Sequence, residues 1–255
     1  MSNASETGKI FQLNKAAWDT AVNSGDNPYT QIVSSAHIAE ARKGNWSFFL
    51  SDCQPVPREW FPELRGCKVL CLASGGGQQA PVFAALGADV TLIDASSSQL
   101  DQDRFVAERD NLTMALVEGD MADLSVFPDE TFDLIFNPLS TLFVPDLVPV
   151  WRECFRVLRG GGVLMTGFMN PDEFIFDHEV LDNEGAFVVK YPLPYVEHET
   201  LSSAALAQRI RDNKMFHFSH TMDDQLGGLM RAGFVMTGFY EDRRPEEDKN
   251  PVRNF

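Results

Sequence analysis

Three consecutive glycines, Gly75-Gly76-Gly77, stand between the apolar run Val69-Leu70-Cys71-Leu72-Ala73 and Gln78-Gln79-Ala80, and the next apolar run ends on an acid, Asp94. Glycine lets a backbone approach a bound molecule with no Cβ in the way. Ser74-Gly75-Gly76-Gly77 is therefore expected to be a ligand loop that joins a strand to a helix. Its spacing serves more than one ligand: Gly75-x-Gly77-x-x-Ala80 satisfies the dinucleotide fingerprint, and Asp94 lies near the distance at which an acid holds a ribose diol. The loop alone does not choose between a dinucleotide and a nucleoside that lacks phosphates.

Neighbouring residues choose. A short-chain dehydrogenase needs a Tyr-x-x-x-Lys pair, and none of Tyr29, Tyr191, Tyr195 or Tyr240 has Lys at that spacing. A pyrophosphate would gain from nearby basic residues, and residues 69 to 103 contain none. A phosphate-free cofactor carrying a sulfonium cation suits these surroundings better. Gly119-Asp120-Met121 follows the third apolar run and Asn137-Pro138 the fourth, so both fall at the same sheet edge as the loop.

The elements that must position these residues are legible as alternation. Residues 66 to 168 alternate short apolar runs with longer amphipathic ones, the pattern of βαβ units feeding a parallel sheet. Strands are expected at Lys68 to Ala73, Val90 to Ile93, Leu112 to Val117, Phe132 to Phe136 and Val163 to Phe168. Pro81 early and Gly87 late bracket the first helix, and Ser96 with Gln99 forms a capping-box pattern for the second. Between Asp146 and Arg159, the residues Leu147, Trp151, Cys154, Phe155 and Leu158 share one helical face, and Gly160-Gly161-Gly162 is expected to end that helix. Thr221 with Asp224 resembles another capping box, ahead of a helix stopped by Gly233 and a strand from Phe234 to Tyr240. Residues 1 to 65 and 170 to 215 break the alternation. The first reads as a helical covering and the second as an insertion and candidate substrate lid over the sheet's carboxyl edge, with 66 to 169 as the core and 216 to 255 completing it.

Composition bounds the partners. With 21 basic against 37 acidic residues the chain carries −16, the wrong sign for a phosphate backbone, so no nucleic-acid partner is expected. Four cysteines without a C-x-x-C pair read as reduced thiols of a cytoplasmic protein. No apolar run approaches the ~20 residues that span a bilayer, so no membrane partner is expected. His198-Glu199-Thr200-Leu201-Ser202 begins like a zinc-protease helix but carries Ser where the second His must stand, and no metal site is expected. Asn137-Pro138-Leu139-Ser140 lacks the second proline and the aromatic of the motif that amine methyltransferases use on nucleic acid bases.

Taken together, the glycine loop, the acid after strand two, Gly119-Asp120-Met121, Phe132-Asp133-Leu134-Ile135-Phe136 and Phe155-Arg156-Val157-Leu158-Arg159-Gly160-Gly161-Gly162 resemble the class I S-adenosylmethionine-dependent methyltransferases, in particular the small-molecule group typified by ubiquinone and menaquinone biosynthesis. The resemblance covers residues 66 to 168 and, more loosely, 216 to 240. It implies a doubly wound α/β, Rossmann-like and mostly parallel sheet of seven strands, or of six, because the family has a further antiparallel strand beyond the position of Tyr240. It also implies S-adenosylmethionine as cofactor and a small-molecule methyl acceptor. Ala73, Ser74, Gly75 and Gly77 would line the methionine and ribose portions, and Asp94 would accept hydrogen bonds from both ribose hydroxyls. Ala95 and Gln99 would flank the adenine, Asp120 would accept from its amino group, Met121 would offer its backbone amide, and Asn137 would close the site near the sulfonium. The family has an acid where Cys71 stands and a glycine where Ala73 stands. Contacts to the cofactor's amino group are then expected from the N-terminal segment, with Tyr29 and Trp18 as candidates.

Methyl transfer is an in-line displacement in which alignment and exclusion of water do most of the work, and many such sites carry no essential base. Of the five histidines none stands out by sequence, and no catalytic residue is assigned. Two other readings stay open at this level. One is a cofactor-binding sensor or partner subunit without catalysis, motivated by Cys71 and Ala73; the other is an NAD-dependent oxidoreductase, motivated by Gly75, Gly77 and Ala80. The oligomeric state is not readable.

Overall fold

The computed structural model describes residues 3–242. Two N-terminal helices, α1 (Asn3–Ser24) and α2 (Ser35–Arg42), precede an alternating core of β1 (Lys68–Leu72), α3 (Gln79–Ala85), β2 (Asp89–Asp94), α4 (Ser97–Asp110), β3 (Met114–Glu118), β4 (Phe132–Asn137), α5 (Leu147–Val157) and β5 (Leu158–Thr166). Short helices α6 (His178–Glu184), α7 (Glu197–Thr200), α8 (Ser203–Arg211) and α9 (Gly228–Ala232) follow. The five strands form one parallel sheet in the order β3-β2-β1-β4-β5. The chain reverses its winding direction between β1 and β4, which opens a crevice at their carboxyl ends.

Strand periodicity divides β1 between two cores. Val69 and Cys71 face a layer with Ile38, Phe48, Phe83 and Phe136, whereas Leu70 and Leu72 face Ile135, Trp151 and Cys154 of the opposite layer. Helices thus cover both faces of a central strand that is apolar throughout, as a parallel sheet requires. Phe48 comes from the N-terminal segment yet is fully buried, stacked on Phe83 at 3.7 Å between centroids. That segment therefore contributes to the core itself as well as lying over the sheet edge. Trp151 is anchored by its indole N–H on the Asp224 carbonyl at 3.0 Å, and Gly228 packs against the ring where no Cβ would fit.

The sheet differs from the seven or six expected strands. Among the described residues it has five, and Phe234–Tyr240 joins no strand. Phe234 meets Phe155 edge to face, Phe239 meets Phe168 and Gly238 lies on Trp60, while Val235 and Met236 stay exposed. The further strand expected beyond Tyr240 falls largely outside the described residues. Gly160-Gly161-Gly162 also behaves differently from expectation. The helix stops earlier, at Val157, and the glycines lie inside β5, where the register slips between Phe132 and Leu134 of β4. Ser96 and Thr221 cap as expected, each hydroxyl accepting the amide three residues on, from Gln99 at 3.1 Å and from Asp224 at 3.1 Å.

The loop Leu50–Cys53 is seated on the carboxyl ends of β4 and β5, with Leu139 N–H donating to the Leu50 carbonyl at 3.0 Å. A Cβ on Gly167 would stand 2.4 Å from that carbonyl oxygen. Gly167→Ala should therefore lower stability by about 1–3 kcal/mol through forced backbone displacement, read as a drop in urea midpoint. Gly160→Ala, which meets open space, should leave the midpoint unchanged or slightly raised.

Candidate active site

The crevice at the carboxyl edge is a cavity of about 1000 Å³. Tyr29, Ala73, Ser74, Gly75, Asp94, Ala95, Gln99, Asp120 and Met121 all line it, as does Trp18. Gly77 and Asn137 lie outside its wall. Asn137 is fully buried and braces the strand ends instead: its amide donates to the Leu72 carbonyl at 2.8 Å and the Ser140 hydroxyl at 2.6 Å, while its oxygen accepts from Thr166 at 2.9 Å. Gly77 works from behind the loop. It has φ +71, and a Cβ there would meet Ile32 at 2.7 Å.

The loop is built around two carboxylates. Asp94 at the end of β2 accepts the Gly75 amide on one oxygen and the Ser96 amide on the other, both at 2.9 Å. Asp103, on α4, accepts the amides of Gly76 and Gly77 on a single oxygen at 2.8 and 2.9 Å. A pyrophosphate approaching this loop would find those three N–H groups already engaged, which removes the main donor set of the dinucleotide alternative. A Cβ on Gly75 would stand 2.8 Å from Gln99 Cβ and 3.0 Å from the Asp94 carboxylate, so glycine is required for the close approach. Ala73 holds φ +47, a left-handed conformation that a glycine would take without strain. That is the physical meaning of its departure from the family pattern.

Burial raises the Asp94 carboxyl above the ordinary range against the pull of the Ser96 and Gly75 amides, as expected for an acid with unspent acceptor capacity facing a cavity. Asp120 is raised likewise by burial, opposed by the Ala122 amide that it accepts at 2.9 Å. Cys71 is fully buried and its thiol is pushed far up by desolvation. It cannot serve as the acid that family members place there. Another acid is close to the cleft: Asp52 lines the cavity and accepts the Tyr29 hydroxyl at 3.0 Å. Lys15 spans from α1 to the Ala95 carbonyl at 3.0 Å and to Glu118 at 2.9 Å, so its charge is paired.

Of the histidines, His37 and His217 line the cavity. His217 is held by Arg209, which donates toward its Nδ1 at 3.2 Å, beside Glu197. His220 is buried with its pKa lowered by desolvation, and it bonds the Thr141 carbonyl. No group of three or more His, Cys, Asp or Glu side chains that could hold a metal occurs among the described residues. No described helix is long and apolar enough to cross a membrane. The four cysteines are free thiols.

Sequence reasoning missed Asp103 and Asp52. Asp103 shares its helix face with Leu100, Val106 and Ala107, and an acid on the apolar side of a helix was the signal that could have found it. Asp52 belongs to a segment without periodicity. Burial pushes the Asp103 carboxyl up to about 7, against the Gly77 and Gly76 amides and with the Asp94 charge adding to the rise. A folded value above the unfolded one means that the proton is bound more tightly in the native state. The associated stability is full below the unfolded value of 3.8 and is lost as pH rises through about 7. The wild type should therefore lose stability relative to Asp103→Asn between pH 4 and pH 7, measured as the difference between their urea midpoints.

Comparison with known proteins agrees with this geometry. Residues 70–166 match the family model described as a methyltransferase domain. The chain is 49% identical over 230 residues to the uncharacterized methyltransferase YbaJ of Bacillus subtilis, covering 90% of this chain and 89% of that one. It is 33% identical over 117 residues to the ubiquinone biosynthesis O-methyltransferase of Psychrobacter arcticus, covering 44% of this chain and 46% of that one. An S-adenosylmethionine-dependent methyltransferase from Mesorhizobium loti shares the fold at a TM-score of 0.58 and 20% identity, covering 74% of this chain and 84% of that one. The glycine loop with its acid, in a sheet of this order, thus belongs to a known lineage: the chain is a member of the S-adenosylmethionine-dependent methyltransferase family.

Proposed function

We propose that the chain transfers a methyl group to a small, largely apolar acceptor held in the same cavity as the cofactor. The observation that carries this reading is the division of the cavity wall. One part bears the glycine loop, Asp94 and Asp120, and the rest is dominated by Phe11, Trp18, Leu50, Leu139, Phe143 and Met169. A volume of about 1000 Å³ stands at the upper end of small-molecule sites, which run ~300–1000 Å³, and leaves room for two ligands side by side. The likeness to a ubiquinone biosynthesis O-methyltransferase supports an apolar acceptor.

The residues present fit the cofactor. The backbone at Gly75 is bare where a Cβ would collide, and two half-buried acids, Asp94 and Asp120, offer acceptor oxygens at a cavity edge with no basic residue between 69 and 103. When bound, S-adenosylmethionine supplies a methyl group on a sulfonium that leaves as a neutral thioether. Asp94 would accept from both ribose hydroxyls, Asp120 from the adenine amino group, and Ala95 and Gln99 would flank the ring beside the Met121 amide. Ala73, Ser74 and Gly75 would line the methionine portion, with Gly77 supporting the loop from behind. With Cys71 neutral and buried, Asp52 would take the ammonium, its carboxylate oriented by the Tyr29 hydroxyl. Trp18, Phe143 and Leu139 exclude water and hold the acceptor in line. Asn137 acts indirectly, by fixing the ends of β1, β4 and β5.

Calorimetry with S-adenosylhomocysteine tests the cofactor half of this reading. Wild type should bind, NADH should not, and Asp94→Ala should weaken binding by roughly 10- to 100-fold, the loss of hydrogen bonds to a charged acceptor at ~1.5–3 kcal/mol. Absence of binding at millimolar ligand by folded wild type would sink it.

A further inference from the structure

Asp103 lies behind the cleft on the second turn of α4, is fully buried, and does not itself line the cavity. It nevertheless touches the loop on which cofactor binding rests. One of its oxygens receives both the Gly76 and Gly77 amides, and the other has no hydrogen-bond partner. The two successive N–H groups converge on that one atom from a left-handed path, with φ +109 at Gly76 and +71 at Gly77. That path turns the Gly77 carbonyl toward Val33, whose amide donates to it at 2.9 Å. It also places Gln78 so that its amide reaches the Pro28 and Gln31 carbonyls, both at 3.0 Å. The segment that carries Tyr29 is therefore docked on a loop conformation set by Asp103. The titratable groups facing this carboxylate are Asp94 from β2 and the Cys71 thiol from β1, and residues 69 to 103 supply no cation.

We propose that Asp103 is a positioning residue for the cofactor: an internal anion that occupies the Gly76 and Gly77 amides, fixes Gly75 against Asp94, and seats the Tyr29 segment over the cleft. The inference rests on the cofactor reading above. Charge-assisted bonds are roughly twice as strong as neutral ones, so the loop is held more firmly when the carboxylate is ionised. Since burial places its titration near neutrality, cofactor affinity should follow that ionisation.

The test titrates S-adenosylhomocysteine and S-adenosylmethionine into wild type, Asp103→Ala and Asp103→Asn between pH 6 and pH 8, with urea midpoints measured alongside. Wild-type affinity should tighten several-fold from pH 6 to pH 8. Asp103→Ala, which leaves both amides without an acceptor, should bind roughly tenfold or more weakly at pH 8. Asp103→Asn keeps one acceptor oxygen, so it should match wild type at pH 6 and fail to tighten by pH 8. Asp94 is intact in all three proteins, so a lost pH response belongs to Asp103. A folded Asp103→Ala protein with wild-type affinity would overturn the proposal, as would an Asp103→Asn protein with the wild-type pH profile. If Asp103→Ala does not fold, the Asp103→Asn profile decides alone. Wild type that binds neither ligand at any pH would instead remove the cofactor reading beneath it.

Discussion

The site depends on how four backbone N–H groups, those of Gly75, Gly76, Gly77 and Ser96, are satisfied. A strand-to-helix loop with bare glycines leaves donors that must find partners, because a buried amide without an acceptor costs about 1–3 kcal/mol. In dinucleotide-binding loops a ligand phosphate completes the set. Here Asp94 and Asp103 complete it from within the chain. The loop is thus finished before any ligand arrives, and what it offers the cleft is close backbone approach and the unspent acceptor capacity of Asp94.

The remaining architecture places that finished loop. Parallel pairing of β1 with β2 sets Leu72 opposite Ile93, one residue before Asp94, so the acid emerges level with the loop. Pairing of β1 with β4 brings Asn137 to the same edge, where it ties Leu72 to Ser140 and Thr166. The N-terminal segment then closes the cleft, anchored at one end by Phe48 in the core and at the other by Val33 on Gly77. Methyl transfer asks a protein for alignment and dryness, and this packing builds the walls that would supply them.

Much of this was legible in the sequence because it rests on local rules. Apolar runs of four to six residues bounded by Gly, Pro and Asp located β1, β2 and β4 closely, and the Ser96 and Thr221 caps follow from a hydroxyl three residues ahead of its donor. The wall positions Ala73, Gly75, Asp94, Gln99 and Asp120 follow from strand ends facing one edge. What was not legible depends on tertiary contacts. The Phe234 to Tyr240 run reads as a strand, but it pairs with none of the described strands and leaves Val235, Met236 and Phe239 exposed. The glycines at 160 to 162 read as a helix stop, although the helix had already ended at Val157. Asp103 stands out only as an acid between Leu100 and Val106 on the buried face of α4, and the roles of Asp103 and Asp52 depend on a loop 26 and 27 residues upstream and a tyrosine 23 residues upstream.

A structure of the complex with S-adenosylhomocysteine tests the central claim most directly. The account predicts both ribose hydroxyls on Asp94, with the Gly76 and Gly77 amides still on Asp103. A loop whose amides had left Asp103 and turned toward the ligand, or a ribose held away from Asp94, would contradict it.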